Sequence, residues 1–170
     1  MPSNTSSNDK YFKSRNSNRV TEPKAIEYLT KRKIRHVRFG LDALDSTAPI
    51  WKIPESLRAI PDYIVFSKYD QPYFFEAKGF VGKVKLKTRD LRNYKTWNEY
   101  LEIIMFLYNI PDDSYLQIQF NQIIKIIKEQ KPEIKSYPES KNNTYYELPV
   151  DWLPDFKQME SLNEDRWRNC

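Results

Sequence analysis

The chain has 170 residues, a formal charge of +5 and a pI near 9.1, which suits one domain with a sizeable core and permits a polyanionic partner. Its single cysteine, Cys170, and single histidine, His36, exclude an internal disulfide framework, a cysteine-based zinc site and a His-rich metal site. Any metal must therefore be held by carboxylates and carbonyls, which favour magnesium, manganese or calcium, and no stretch is apolar and long enough to span a membrane.

Residues 1–19 are rich in Ser and Asn and nearly free of aliphatic side chains, which predicts a flexible basic leader. No apolar signal segment opens the chain, so a soluble, intracellular protein is expected. Thr21-Glu22-Pro23 reads as a helix start, with Thr21 or Glu22 near the cap and Pro23 in the first turn. Ala25, Ile26 and Leu29 supply an apolar stripe, and the helix should end near Lys33. Ile34, Val37 and Phe39 suggest a strand, and residues 40–58, with Asp42, Asp45, Trp51 and Pro54, read as irregular. Two runs rich in β-branched and aromatic residues follow, 62–66 and 73–76, joined by a plausible hairpin connection over 67–72.

A long helical pattern is expected over about 88–108, with Leu91, Tyr94, Trp97, Leu101, Ile104 and Leu107 on one side. Pro111-Asp112-Asp113-Ser114 breaks it as a turn. Residues 115–120 alternate in period two, as a strand does, and Asn121 is the expected cap of a short helix carrying Ile123, Ile124, Ile126 and Ile127 up to Pro132. Trp97 and this isoleucine cluster read as core. The order of elements implies a mixed sheet with helices packed on its faces. The division expected is a leader over 1–19, a core domain over 20–131, and a segment over 132–170 that wraps the domain without adding a core.

Chemistry enters with Pro61-Asp62 at the start of one strand and Glu76-Ala77-Lys78-Gly79 at the end of the next. Alternate residues of a strand face one way, so Glu76 and Lys78 project together. If the two runs pair as a hairpin, Asp62 lies near Glu76–Gly79, and two carboxylates and an ammonium gather at one rim of the sheet. Two close carboxylates repel, and a divalent cation removes that cost while gaining oxygen ligands, the Ala77 carbonyl among them. Such a cation activates water against a phosphodiester, and Lys78 adds a point charge at the scissile phosphate or orients the water. Gly79 lets a nucleic-acid backbone approach closely. Set against this is an ordinary surface hairpin with a Lys–carboxylate pair, which contributes little. The triplet here ends the apolar run Tyr73-Phe74-Phe75 and is followed by Gly, and its partner Asp directly follows Pro.

These residues resemble the PD-(D/E)XK nuclease superfamily, and within it phage endonuclease I-type junction resolvases, over about residues 21–80. The resemblance rests on an early-helix Glu, Lys52-Ile53-Pro54, Pro61-Asp62 and Glu76-Ala77-Lys78-Gly79. It implies an α/β, restriction-endonuclease-like core with a mixed central sheet flanked by helices. It also implies a magnesium-dependent endodeoxyribonuclease, with manganese as a substitute, in which Asp62, Glu76 and the Ala77 carbonyl hold the metal and Asp62, Glu76 and Lys78 are catalytic. The family commonly adds an acidic residue from its first helix; Glu22 looks like that residue, as catalytic group and metal ligand, with Glu27 the fallback. The partner is DNA, branched or structured in a phage setting, with no membrane involved. The compartment is the cytoplasm, that of the host for a viral protein. Junction resolution needs two active sites, so a homodimer is expected.

Lys83, Lys85, Lys87, Arg89 and Arg92 follow the motif. A charge run is ordinarily a solvated face, but adjacency to a phosphodiester site assigns this one to DNA contact, with Lys31, Arg32, Lys33, Arg35 and Arg38 as a lesser part of the same surface. His36, alone in a charged strand, is left outside the site. The alternative function is a non-catalytic nucleic-acid-binding or virion structural protein that keeps a nuclease fold. That reading predicts loss of an acidic ligand, whereas Asp62, Glu76 and Lys78 are all present. An RNA-binding module would alternate aromatics on an exposed sheet face, and the aromatic runs here are continuous, as in a buried strand.

Overall fold

A computed structural model of the chain describes residues 20–40, 52–54, 57, 59–138 and 140–159. The expectations for the leader and for Asp42, Asp45 and Trp51 lie outside these residues.

Helix α1 covers 20–31. Thr21, Ala25, Tyr28 and Leu29 are its buried positions, a single stripe at helical spacing. Ile26 was expected in that stripe but is 40% exposed, because one residue beyond Ala25 turns the side chain off the buried face. Val20 and Thr21 are already helical, so neither Thr21 nor Glu22 is the cap. The helix ends in Lys33 at φ 54, where the Ile34 N–H reaches back to the Leu29 carbonyl at 2.9 Å.

Six strands form the central sheet, in the order β1 (Arg35–Arg38), β2 (Tyr63–Phe66), β3 (Pro72–Phe80), β5 (Ile103–Asn109), β6 (Ser114–Gln119) and β9 (Lys157–Gln158). All neighbours are antiparallel except β3 and β5, which run parallel because a crossover separates them. That crossover contains β4 (Lys83–Lys87) and helix α2 (Thr88–Trp97). Helix α3 (Phe120–Gln130) follows β6 directly. This is the mixed α/β architecture expected, consistent with a restriction-endonuclease-like core.

The expected single helix over 88–108 is instead α2 followed by β5. Asn98 stops the helix, its side-chain oxygen accepting the Ile103 N–H at 2.9 Å, and Leu101, Ile104 and Leu107 leave the helical pattern. Ile103 to Tyr108 is an unbroken run of apolar and aromatic residues because β5 is covered on both faces, a pattern that carries no period of two and imitates a buried helix. The cap of α3 is Gln119, not Asn121, in a reciprocal capping box with Gln122. Residues expected only to wrap the domain form strands: β7 (Ile134–Tyr137) and β8 (Ser140–Pro149) join β4 in a second sheet ordered β4-β8-β7. Gly82, at φ 76, makes the turn that carries the chain from β3 into it.

The strand faces sort the core. Phe74, Phe80, Met105 and Leu107 pack with α2, α3 and the inward residues Val84, Leu86 and Leu148 of the second sheet. Phe75, Ala77, Phe106 and Tyr108 pack with α1 on the opposite face. Trp97 and the α3 isoleucines lie in or against the first cluster, as expected. Phe75 is 0% exposed and its ring meets Tyr28, Tyr63 and Phe106. Phe75→Ala should therefore cost about 3–5 kcal/mol of stability, read as a shift of the urea midpoint at constant slope. A cost under about 1 kcal/mol would show that this layer does not carry the fold.

Candidate active site

Tyr63 of β2 stands opposite Phe75 of β3, which brings the preceding Asp62 beside Glu76. Asp62 lies in phase with Ile64 and Glu76 with Phe74, so both carboxylates turn to the α2 face of the sheet. The two are tied through the backbone: the Asp62 N–H donates to Glu76 Oε2 at 3.2 Å, and the Ala77 N–H donates to Asp62 Oδ2 at 2.8 Å. Because a strand residue aims its N–H and C=O to one side, the Ala77 carbonyl also faces Asp62. Gly40 packs against the backbone of Asp62. Its N–H and that of Phe39 both donate to the Asp62 carbonyl, and a Cβ at position 40 would stand 3.1 Å from Asp62 Cα.

Glu76 is 3% exposed, on a face it shares with the buried Phe74 and Met105 as well as with Asp62 and Lys78. A buried carboxylate needs donors, and it has them. On Oε1 it accepts the Tyr94 hydroxyl at 2.5 Å and meets the Lys78 ammonium at 2.8 Å. Lys78 also lies 3.9 Å from Asp90 and 5.8 Å from the centre of the Tyr94 ring. Asp90 and Tyr94 are four residues apart on α2, so one helix face serves both contacts.

Electrostatics follow from this crowding. Loss of hydration, then the Glu76 charge, pushes the Asp62 carboxyl well above the usual range, with Lys78 and the Ala77 N–H opposing and Glu22 adding to the rise. Burial disfavours the Lys78 ammonium, but Glu76, Tyr94, Asp90 and Asp62 outweigh it and hold the lysine charged well beyond its ordinary value. Burial, reinforced by Glu76, likewise keeps the Tyr94 phenol neutral and a donor.

The structure thus brings Asp62, Glu76, Ala77 and Lys78 to one point. Glu22 pairs with Arg38 at 3.6 Å and its charge is felt at Asp62. Glu27 is engaged elsewhere, by Lys31 at 2.7 Å and Lys24 at 3.5 Å. Among the described residues no three His, Cys, Asp or Glu side chains gather as a ready cage for a metal ion. Lys83, Lys85 and Lys87 alternate on the outer face of β4, while Val84 and Leu86 point to the core. Burial lowers Lys87 from its ordinary value against the pull of Asp90, which places it next to the site. Arg89 lies 3.6 Å from Asp90, and Arg92 is exposed on α2. Most of the earlier basic run is tied up: Lys31 to Glu27, Arg32 to the Tyr115 hydroxyl, Arg35 to Asp70 and Arg38 to Glu22. His36 lies away from the site, with Nδ1 2.9 Å from the carbonyl of Ile34, just before β1, and its ring edge-on to Tyr63.

The sequence pattern does not mark Tyr94 or Asp90 as site residues. Tyr94 reads as one more aromatic on an apolar helix stripe, and only the i,i+4 spacing from an acidic residue just after the basic run hints otherwise.

No family model matches the chain, and no curated protein matches it. Among solved structures the chain is similar to a nuclease from a fusselovirus, at 11% identity and a TM-score of 0.43, covering 95% of this chain and 92% of that one. Among the described residues no helix is long and apolar enough to cross a membrane.

Proposed function

We propose that the chain is a metal-dependent endonuclease of the PD-(D/E)XK type that hydrolyses DNA phosphodiester bonds. The observation that carries this reading is the convergence of Asp62 and Glu76 in a desolvated corner with Lys78 against Glu76. A structural ion pair needs one carboxylate per lysine, whereas here the Asp62 charge is left opposed by burial and by its neighbour. The donor set fits magnesium: two carboxylates and a carbonyl, all hard oxygen, too few for an all-protein cage and suited to an ion that keeps part of its water. No described residue donates a hydrogen bond to Asp62 Oδ1, which leaves that oxygen for the ion.

Bound magnesium supplies an activated water and offsets charge growing on the phosphoryl oxygens. The residues of the chain do the rest. Asp62, Glu76 and the Ala77 carbonyl hold the ion at the rim. Tyr94 pins Glu76 Oε1 and so fixes the carboxylate orientation. Lys78, kept charged by its acidic neighbours, meets the scissile phosphate or orients the water. Lys83, Lys85, Lys87, Arg89 and Arg92 contact the DNA backbone. By the same resemblance the substrate is branched DNA, the enzyme acts as a homodimer, and manganese substitutes for magnesium.

The test is incubation with supercoiled, linear, single-stranded and four-way-junction DNA, with and without magnesium. Metal-dependent cleavage of at least one supports the reading, and cleavage of none overturns it in favour of a non-catalytic binding protein. The helix carboxylate is tested separately. Glu22→Gln should slow single-turnover cleavage by about 10- to 100-fold, while Glu27→Gln stays within about twofold. The opposite ranking would give the role to Glu27.

A further inference from the structure

The second sheet carries a charged cluster that the proposed chemistry does not use. Lys135 of β7, Lys83 and Lys85 of β4 converge on one carboxylate, Glu147 of β8, at 2.5, 3.7 and 3.9 Å. Glu147 is only 15% exposed, whereas the three lysines are 44–56% exposed, so the acid lies beneath and the ammonium groups stand over it. The hydrogen bond from Lys135 holds the Glu147 carboxyl below the usual carboxylate range, with Lys83 and Lys85 adding to the effect, so it stays ionised.

The register makes the arrangement a surface and not a chance meeting. Lys85 stands opposite Glu147, and Tyr145 stands between Lys87 on one side and Lys135 on the other. Lys83, Lys85 and Lys87 follow one another at two-residue steps, about 7 Å apart. Their row ends at the catalytic corner, where Lys87 feels Asp90 and Lys78. Tyr137 packs on Tyr145 with ring centres 4.5 Å apart and lies within electrostatic reach of Asp90 and Lys78, so this end of the face lies near the site. Lys85 lies 5.2 Å from the Tyr145 ring centre. Lys83, Lys85, Lys87 and Lys135 stand on this face against Glu147 and, near Lys135, Glu133, so the lysines outnumber the acids.

We infer that the outer face of the β4-β8-β7 sheet is the track on which the phosphate backbone of a DNA duplex lies, and that Glu147 occupies the place of a phosphate between substrates. Glu147 keeps three flexible lysines assembled when no substrate is bound, and incoming phosphates compete with it for the same ammonium groups. The acid thus lowers affinity while ordering the surface. Lys135, 43 residues beyond Arg92 at the end of the basic run, belongs to the track through strand pairing alone. The inference rests on the phosphodiester substrate proposed above, not on cleavage.

Binding of a random-sequence duplex, measured in EDTA by fluorescence anisotropy across a salt series, tests it. Glu147→Gln should tighten binding about fivefold at low salt, because a competing charge is removed while its shape is kept. Lys135→Ala should weaken binding and flatten the salt dependence by about one unit of slope, and retained secondary structure by circular dichroism shows that the fold is intact. Unchanged or weaker binding by Glu147→Gln, or an unchanged slope in Lys135→Ala, overturns the inference. The two readings fail separately. Cleavage by the wild-type chain with both variants binding as wild type removes the track and leaves the nuclease, whereas the expected binding shifts without metal-dependent cleavage remove the nuclease and leave the track.

Discussion

Asp62→Asn is expected to abolish DNA cleavage, by about 1,000-fold or more, while raising the melting temperature of the metal-free protein. The first effect follows from removing an anionic ligand at constant shape, and Glu76→Gln should match it. The second follows from the Asp62 environment. Burial and the Glu76 charge raise its folded-state pKa above the unfolded value near 3.8. Above that pH the unfolded chain releases the proton first, so the native state binds more protons and stability falls as pH rises toward the folded pKa. Asn has no charge to bury, so the variant should melt higher than wild type in EDTA at pH 7 and equal it below about pH 4. With magnesium the sign reverses, because the ion needs the ionised carboxylate and stabilises only the wild type, more strongly at higher pH. Glu76→Gln should lose the magnesium shift as well but melt lower in EDTA, since Lys78 loses its 2.8 Å partner. Thermal melts across pH, with and without magnesium, read all of this. Full cleavage by either variant would sink the site.

These residues were legible because the chemistry lies on two short strands whose local pattern is unambiguous. Pro61-Asp62 immediately precedes β2, Glu76-Ala77-Lys78 lies in β3, and a hairpin connection of a few residues leaves one pairing between them. The register then follows, and with it the Asp62–Glu76 approach. Legibility fails where burial erases period. Ile103 to Tyr108 is apolar or aromatic on both faces, so the central parallel strand merges with the preceding helix stripe. It fails again where contacts depend on distant pairing: nothing near Glu147 in the sequence announces Lys83 and Lys85, more than sixty residues earlier. Tyr94 combines both problems. Its ring fills the core while its hydroxyl serves Glu76, and sequence pattern registers only the ring. The Gln119 capping box was harder to read, because Gln is not among the favoured cap residues whereas Asn121, two positions on, is.

Chemistry and binding should separate cleanly between Lys78 and the β4 lysines. Lys78→Ala is expected to cut turnover about 100- to 1,000-fold, because the lost charge sits at the reacting phosphate in a water-poor corner. Its effect on DNA affinity should be slight, since one ammonium among many phosphate contacts adds little and this one faces Glu76 in the free protein. Tyr94 still donates to Glu76 Oε1 in that variant, so the carboxylate keeps a partner. Neutralising Lys83, Lys85 and Lys87 together should do the reverse. These side chains stand on the outer face of β4 and leave the core residues Val84 and Leu86 untouched, so the fold survives. Affinity should fall for every DNA sequence, and the salt slope should flatten by up to about three units, one for each lost phosphate contact. Turnover at saturating DNA should largely persist, because Asp62, Glu76 and Lys78 draw their geometry from β2, β3 and α2, not from the β4 lysines. The comparison is made with single-turnover rates at saturating DNA beside anisotropy titrations at several salt concentrations. A triple variant with unchanged affinity and slope would make the β4 face a solvated one, and a Lys78→Ala variant that loses affinity but not turnover would move Lys78 from the chemistry to the binding surface.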